Sequence, residues 1–464
     1  MLRESSQVQL AGAMLQRSLR REILMDTVEK RIIDLIDSHR DEIIDFARDI
    51  YCHAELGYKE FGTSKKFVEF SRKLGLTVTE GLAVTGAKAY LNQDKKDEIS
   101  LALIGELDAL RIPNHEYANP KTQAAHCCGH HAQLAGIVGA AIALSTPEVA
   151  QELDGQVVFF AVPAEEYGEI EFKNQLREEG KIKYGGGKCE LIRIGAFDDI
   201  DVNIAHHSSN GNAVSFKQGA NNGFVSKVIK YHGKAAHAAG SPQLGINALN
   251  AASIGLTALA YHRETFKDSD HVRIHPIVTK GGNLVNVVPD EVIIETLVRA
   301  SNQDAIVDAA EKTDRSFFAG GAAIGASVEI ETMPGYLPTL PQEPNAELVA
   351  AAKIAVDSQY EVEIADDKGS VSGGSTDVGD VQHILPVYTF QTGGIEGNFH
   401  SAEFKVVDEE LAYIVTAKIF ALGTYRLLKD GAKEAKKIAA EYQPKFTKEE
   451  YIAFMDSMIK KEIR

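Results

Sequence analysis

The chain has 464 residues, of which 44% are hydrophobic and 25% charged, and its formal net charge is −17. Single cores rarely grow beyond about 250–300 residues, so this length calls for two or three folding units of globular composition rather than a disordered or fibrous chain. The acidic balance repels phosphate backbones and anionic lipid heads, which argues against nucleic acid or a membrane surface as partner.

The opening stretch "MLRESSQVQLAGAMLQRSLRREILMD" carries basic residues but lacks the ~7–15 apolar residues of a secretory leader, and no later run approaches the ~18 of a membrane span. Four cysteines, Cys52, Cys127, Cys128 and Cys189, are too few and too irregular for a disulfide framework. A bridge between the adjacent pair would distort the peptide joining them. A cytoplasmic compartment with free thiols is expected.

Apolar residues at helical spacing predict helices over 28–51 and 64–75. Buried-strand runs follow at 87–91, 100–107 and 156–162, the last two ending in "ELDAL" and "PAEE". Strands alternating with helices predict an α/β fold, a helix-covered, mostly parallel sheet whose reactive groups gather at the carboxyl ends of strands. From residue 217 the texture changes to strand (223–235), helix (246–264), strands (272–282 and 291–300), helix (303–325) and strand (327–334). That order is the split βαββαβ unit of ferredoxin-like α+β domains. The chain therefore divides into a discontinuous catalytic domain, 1–216 with 332–464, and an inserted lid and dimerisation domain, 217–331. The charged tail from residue 429 reads as a solvated helical extension with one Pro break, or as a helix for a partner.

The stretch "AAHCCGHHAQLAG" (124–136) raises the chemistry. Cys128 and His130 stand two apart, on one side of an extended segment, and thiolate with imidazole suits a borderline-soft divalent ion. "VPAEE" ends a strand with Glu165 and Glu166, whose adjacent positions direct them differently, one toward a cation and one toward water beside it. "NIAHHSS" supplies His206 and His207, and "GNFHSAEF" supplies His400 in a Gly-rich loop. Asp108 of "GELDAL" is placed to orient a ligand. Taken singly, each of these has a plainer structural reading; their recurrence at strand ends favours a site.

In this order, "HAELGYKE" (53–60), "ELDAL" (106–110), "HCCGH" (126–130), "PAEE" (163–166), "AHH" (205–207), "GKAAHAA" (233–239), "NVVPDE" (286–291), "GSTDVGDV" (374–381) and "HSAEF" (400–404) resemble the M20 metallopeptidases and amidohydrolases. The likeness is to the branch of amino-acid-conjugate and aminobenzoyl-glutamate hydrolases and covers residues 26–425. It implies Cys128 as a bridging ligand, with His130, Glu166, His206 and His400 around one or two divalent ions, Zn or Mn. It further implies Glu165 as general base. His237 would be the lid histidine that steadies charge on the substrate oxygen, commonly in the site of a neighbouring subunit. Asn286 and Arg299 would grip a substrate carboxylate, for which the Arg fork is suited. Ser375, Thr376 and Asp377 would support the site.

The chain departs from the branch at His131 and Gln133, where Asp and His are usual, at Ala402, and at His207. His131 and His207 are accordingly expected as pocket residues. The reading is a metal-dependent amidohydrolase acting on a small carboxylate-bearing molecule such as an N-acyl or N-aroyl amino acid, working as a homodimer or dimer-based oligomer. Hydrolytic deamination of an aromatic amino acid, a noncatalytic metal-binding protein, and a redox protein using Cys127 and Cys128 are the alternatives.

Overall fold

The structure, a computed structural model, describes residues 25–464. The leader reading and the first part of the expected 1–216 segment fall on residues 1–24, outside the described residues. Helices α1 (Thr27–Ser38) and α2 (Arg40–Cys52) divide the 28–51 run, and Asp26 starts α1 through a capping box with Glu29. After α3 (Phe61–Lys73) come the antiparallel pair β1 (Thr77–Leu82) and β2 (Gly86–Leu91). Then β3 (Ser100–Glu106) leads to α4 (His130–Leu144), and β4 (Gln156–Val162) leads to α5 (Ile170–Glu178) and α6 (Gly187–Arg193). Next stand β5 (Val202–Asn210) and β6 (Ala213–Phe216).

The insertion runs β7 (Gly223–His232), α7 (Ala248–Tyr261), β8 (Ile277–Lys280), β9 (Glu291–Ala300), α8 (Gln303–Ile324) and β10 (Ser327–Pro334). The first pattern resumes with α9 (Ala346–Ala355), β11 (Glu361–Ile364), α10 (Val378–Gln382), β12 (Val387–Glu396) and α11 (Thr416–Leu428). The tail adds α12 (Lys433–Glu441), α13 (Lys448–Ser457) and β13 (Lys460–Ile463).

The larger sheet is ordered β1-β2-β4-β3-β5-β12-β6-β11, with Lys405–Val406 paired to β12. Its centre, β4-β3-β5-β12, is parallel, and the strands β3 and β4 are buried along their whole length, which is why they read as unbroken apolar runs. Helices cover both faces: α1, α2, α4, α9 and α11 pack on one, α6, α10 and α13 on the other. Every residue of α4 is buried. It packs closely on α11, since a Cβ at Gly139 would meet the Ala417 side chain at 2.6 Å. The smaller sheet is ordered Arg273–Ile274, β9, β7, β10, β13, with β8 also on β9.

Two expectations are corrected. The tail is not a solvated extension: Tyr451 and Met455 are fully buried against the larger sheet's unit, and the chain ends in β13, antiparallel to β10. Its apolar positions are sparse but face a prepared groove, which composition alone does not report. The segment Glu410–Leu428 is long and apolar enough to cross a bilayer, contrary to the reading that no run approaches that length. It is 94% buried inside the fold, so its apolar surface is spent on the core around α4.

Candidate metal centre

The centre lies beyond the carboxyl ends of β3, β4 and β5, where the chain leaves each strand for a loop. Backbone strain aims it. Gly129, just before α4, has φ +90°, and a Cβ there would lie 2.3 Å from Ser208 Oγ, so only glycine lets the Cys128 turn approach β5. Ala164 holds φ +48° and His400 φ +58°, positions an L side chain adopts at a cost of about 1–3 kcal/mol and keeps when the surroundings over-determine them. For Ala164 the surroundings are Glu60, whose carboxylate accepts from the Ala164 N–H at 2.8 Å.

The strained turn after β4 sends its two glutamates apart. Glu166 Oε1 lies 3.3 Å from His400 Nε2, and His400 Nε2 lies 3.3 Å from Cys128 Sγ. These three offer donor atoms all within 4.8 Å of one another. On the other side of Cys128, its Sγ is 3.4 Å from His207 Nε2. Glu165 joins a second group of donors within 4.8 Å, with Glu106 and His130. His130 turns Nδ1 to Asp108, 2.9 Å from its carbonyl oxygen and 3.2 Å from Oδ1, and Nε2 to Glu106 Oε2 at 3.0 Å. Asp108 Oδ2 also accepts from the Glu166 N–H at 2.8 Å, so one buried carboxylate orients residues on two loops.

The donor chemistry fits a cation. Burial, then the charges of Glu106 and Glu166, push Glu165 well above the usual carboxylate range. Burial, then Glu166, pushes the Cys128 thiol up. Glu166 Oε1, His130 Nε2 and Asp108 Oδ1 are buried without a hydrogen-bond partner. Three carboxylates and a thiol facing one another out of water are costly unless a positive charge joins them. Cys128, Glu166, His400 and His207 would hold it directly, with His130 beside them.

Sequence reasoning placed His206 among the ligands, and the structure does not. Successive side chains of a strand face opposite sides. His207 shares the site face with Ala205, while His206 points into the α4/α11 layer, between Phe390 and Phe420, with Nε2 2.7 Å from Thr392 Oγ1. His131 is likewise not a pocket residue: one position beyond His130 on α4, it is turned roughly 100° away and stacks on Tyr51 with ring centroids 4.6 Å apart. His237 and Asn286 are exposed on the smaller sheet's unit, outside the cavity of this chain. Arg299 reaches it, donating from Nη1 to Ser375 Oγ at 2.6 Å with its guanidinium 5.1 Å from the Phe224 ring.

Two participants were missed. Glu106 stands two residues before Asp108, a spacing that puts both on one side of a strand and could have drawn notice. Lys188 carried no signal: fully buried at the start of α6, it donates from Nζ to Glu106 at 2.6 Å and to Asp377 at 2.5 Å. The cavity above these groups has a volume of about 840 Å³.

Comparison with known proteins fixes the family. The sequence pattern of peptidase family M20/M25/M40 matches residues 102–421. The chain belongs to this family. This M20 chain is 25% identical over 421 residues to a Xaa-Arg dipeptidase of Mus musculus, covering 87% of this chain and 88% of the relative. It is 26% identical over 315 residues to a p-aminobenzoyl-glutamate hydrolase of Escherichia coli, 66% of this chain and 60% of the relative. A Bacillus subtilis structure described as a dinuclear metal-binding peptidase of the M20 family superposes with a TM-score of 0.59 at 22% identity, covering 84% of this chain and 99% of that one. The M20 chain is thus an enzyme of a hydrolase family whose named relatives cleave amide and peptide bonds, on a mostly parallel α/β fold, with residues grouped to hold metal.

Proposed function

We propose that the enzyme hydrolyses a C–N amide bond in a small carboxylate-bearing molecule, an N-acyl or N-aroyl amino acid, using one or two divalent ions, Zn or Mn. The observation that carries the reading is the divergence of Glu165 and Glu166 from one strand end, Glu166 into the Cys128–His400 group and Glu165 toward the open cavity beside it. When bound, a divalent ion supplies Lewis acidity and makes water nucleophilic near neutral pH. Glu165, buried and raised in pKa, takes the proton from the attacking water and returns it to the leaving nitrogen, as a base with this environment is suited to do. Asp108 keeps His130 in one orientation through Nδ1. Tyr336 donates its hydroxyl to the carbonyl oxygen of Glu165 and holds that loop.

The cavity's charges are sorted. All of its carboxylates, Glu106, Glu165 and Glu166, sit at the donor cluster, whereas its cations away from the cluster are Arg299 and Lys217. That polarity favours an anionic substrate, with Arg299 as the bidentate partner of its carboxylate. The deaminase alternative leaned on an extra imidazole at His131, and that ring is buried outside the cavity.

The insertion serves in this proposal as a lid and dimerisation unit, residues 217–331. Ile277 and Val278 on β8 and Leu284 and Val285 beside His237 and Asn286 are exposed, and an apolar edge of this kind suits a second copy. His237 of one copy would then reach the cavity of the other. A cytoplasmic setting accords with four free thiols.

The test is a screen of N-acyl and N-aroyl amino acids with the purified full chain, before and after chelation, alongside Glu165→Gln. The reading expects turnover that chelation abolishes and Zn or Mn restores, and a variant that keeps its metal while kcat falls by about 10²–10⁴. Unchanged turnover in Glu165→Gln would point to a metal protein without this chemistry.

A further inference from the structure

The family match ends at residue 421, and the tail beyond it is tied to both parts of the molecule. At the body end, the tail is bonded to α10. The Tyr442 hydroxyl donates to the Gln382 carbonyl, and the N–H groups of Lys445 and Phe446 donate to the His383 carbonyl at 2.8 and 3.0 Å. These satisfy carbonyls that a helix C-terminus leaves without an internal partner. The Phe446 ring lies on His383, centroids 5.9 Å apart. The Tyr451 hydroxyl, wholly buried, donates to Asp380 Oδ1 at 2.8 Å, and Asp380 Oδ2 accepts from the Leu337 N–H. Next, Asp456 is bonded by Lys183 Nζ at 2.7 Å and by the Tyr184 hydroxyl at 2.8 Å.

At the other end, β13 extends the smaller sheet, Lys460 to Ile463 opposite Thr332 to Glu329. Arg464 exchanges two backbone bonds with Val328 at 2.7 and 2.9 Å, and its guanidinium lies 4.4 Å from the Phe318 ring.

The groups carried by α10 and by the smaller sheet give this bridge its meaning. The loop entering α10 holds Ser375, which accepts from Arg299, and Asp377, which accepts from Lys188 and so fixes Glu106 beside His130. Arg299 itself stands on β9, in the order β9-β7-β10-β13. The contact Arg299–Ser375 therefore crosses between the two units, and the tail grips both of its sides.

We propose that residues 442–464 form an intramolecular clamp that sets the position of the smaller sheet's unit against α10, and so holds Arg299 over the donor cluster, with Tyr451 as a positioning residue acting through Asp380. The clamp is a third covalent crossing between the units, beside the paired crossings at 221–223 and 334–338. Swinging the unit away would strip either the β13 ladder or the buried Tyr451–Asp380 bond.

The test uses the full chain and two variants that break opposite ends: Glu462→Pro, which removes a ladder N–H in register with the Arg464–Val328 pair, and Tyr451→Phe, which removes one hydroxyl. Hydrogen exchange is read over residues 327–334 and 372–383, with far-ultraviolet circular dichroism confirming the fold. Should Glu462→Pro not fold, the chain ending at Ser457 replaces it. The clamp predicts that breaking the lid end speeds exchange across 372–383 by about tenfold, and that Tyr451→Phe likewise speeds exchange in β10. Effects confined to the element carrying each change would overturn it.

A second arm rests on the proposed amidohydrolase reading. With a carboxylate-bearing substrate, both variants raise KM by about tenfold with kcat within about twofold, because Arg299 holds ground state and transition state alike. A fall in kcat at constant KM contradicts the clamp. If no amide is hydrolysed at all, the function reading fails while the exchange arm still decides the clamp.

Discussion

His206 and His207 separate two kinds of histidine in one dipeptide. His206 is sealed among Phe390, Phe420 and Thr392, and burial drives its pKa well below the usual value; His207 meets Cys128. Replacing His207 by Ala is expected to lower the metal content of the purified protein, measured by atomic emission, with little change in melting temperature of the metal-free form. Replacing His206 by Ala should leave metal content intact and cost about 1–3 kcal/mol of stability by denaturant unfolding, through a cavity and an unpaired Thr392. A different signature belongs to Glu60, whose carboxyl is raised from 4.5 to about 7 by burial and then by the Asp108 charge. A carboxyl raised on folding holds its proton in the native state, so its contribution is complete below about pH 4.5 and is lost as pH rises through about 7. Glu60→Gln keeps an acceptor for the Ala164 N–H and removes the ionisation. The expected result is a gain of about 1–3 kcal/mol at pH 8 that vanishes at pH 4.5.

Among the elements, α6 and α10 meet through a buried charge relay, Asp377–Lys188–Glu106. Lys188→Met leaves two buried carboxylates without their cation. A loss of about 3–5 kcal/mol in denaturant midpoint stability is expected, against no change if the lysine were ornamental. At this scale the sequence was most informative where periodicity is strict: β9 and β10 fall on 291–300 and 327–334 as patterned, because an alternating strand over one core has a single register. It was least informative where the deciding contact is distant. Which of two adjacent histidines faces the cluster depends on which face of β5 meets α4, and local periodicity cannot supply that. Lys188 and Tyr451 owe their burial to Asp377 and Asp380, which stand 189 and 71 residues away along the chain. Cys128, Glu166 and His400 were legible because soft ligands at strand ends have few other uses, while His131 was misplaced because a helix turn was not counted.

For the whole molecule, the exposed β8 edge and the distance of His237 from its own cavity make a dimer part of the proposed function. Sedimentation should give twice the monomer mass, and mixing Glu165→Gln with His237→Ala should restore part of the activity each lacks, since mixed dimers contain one intact site. All of these consequences descend from a cation shared by Cys128, Glu166, His207 and His400. Anomalous diffraction at the metal edge from crystals of the full chain grown with Zn or Mn tests this most directly. The account predicts one or two peaks within bonding reach of Cys128 Sγ, with His207 rather than His206 as a coordinating imidazole and Glu165 facing the peak without joining its ligands. No peak at Cys128, or one coordinated by His206, would contradict it.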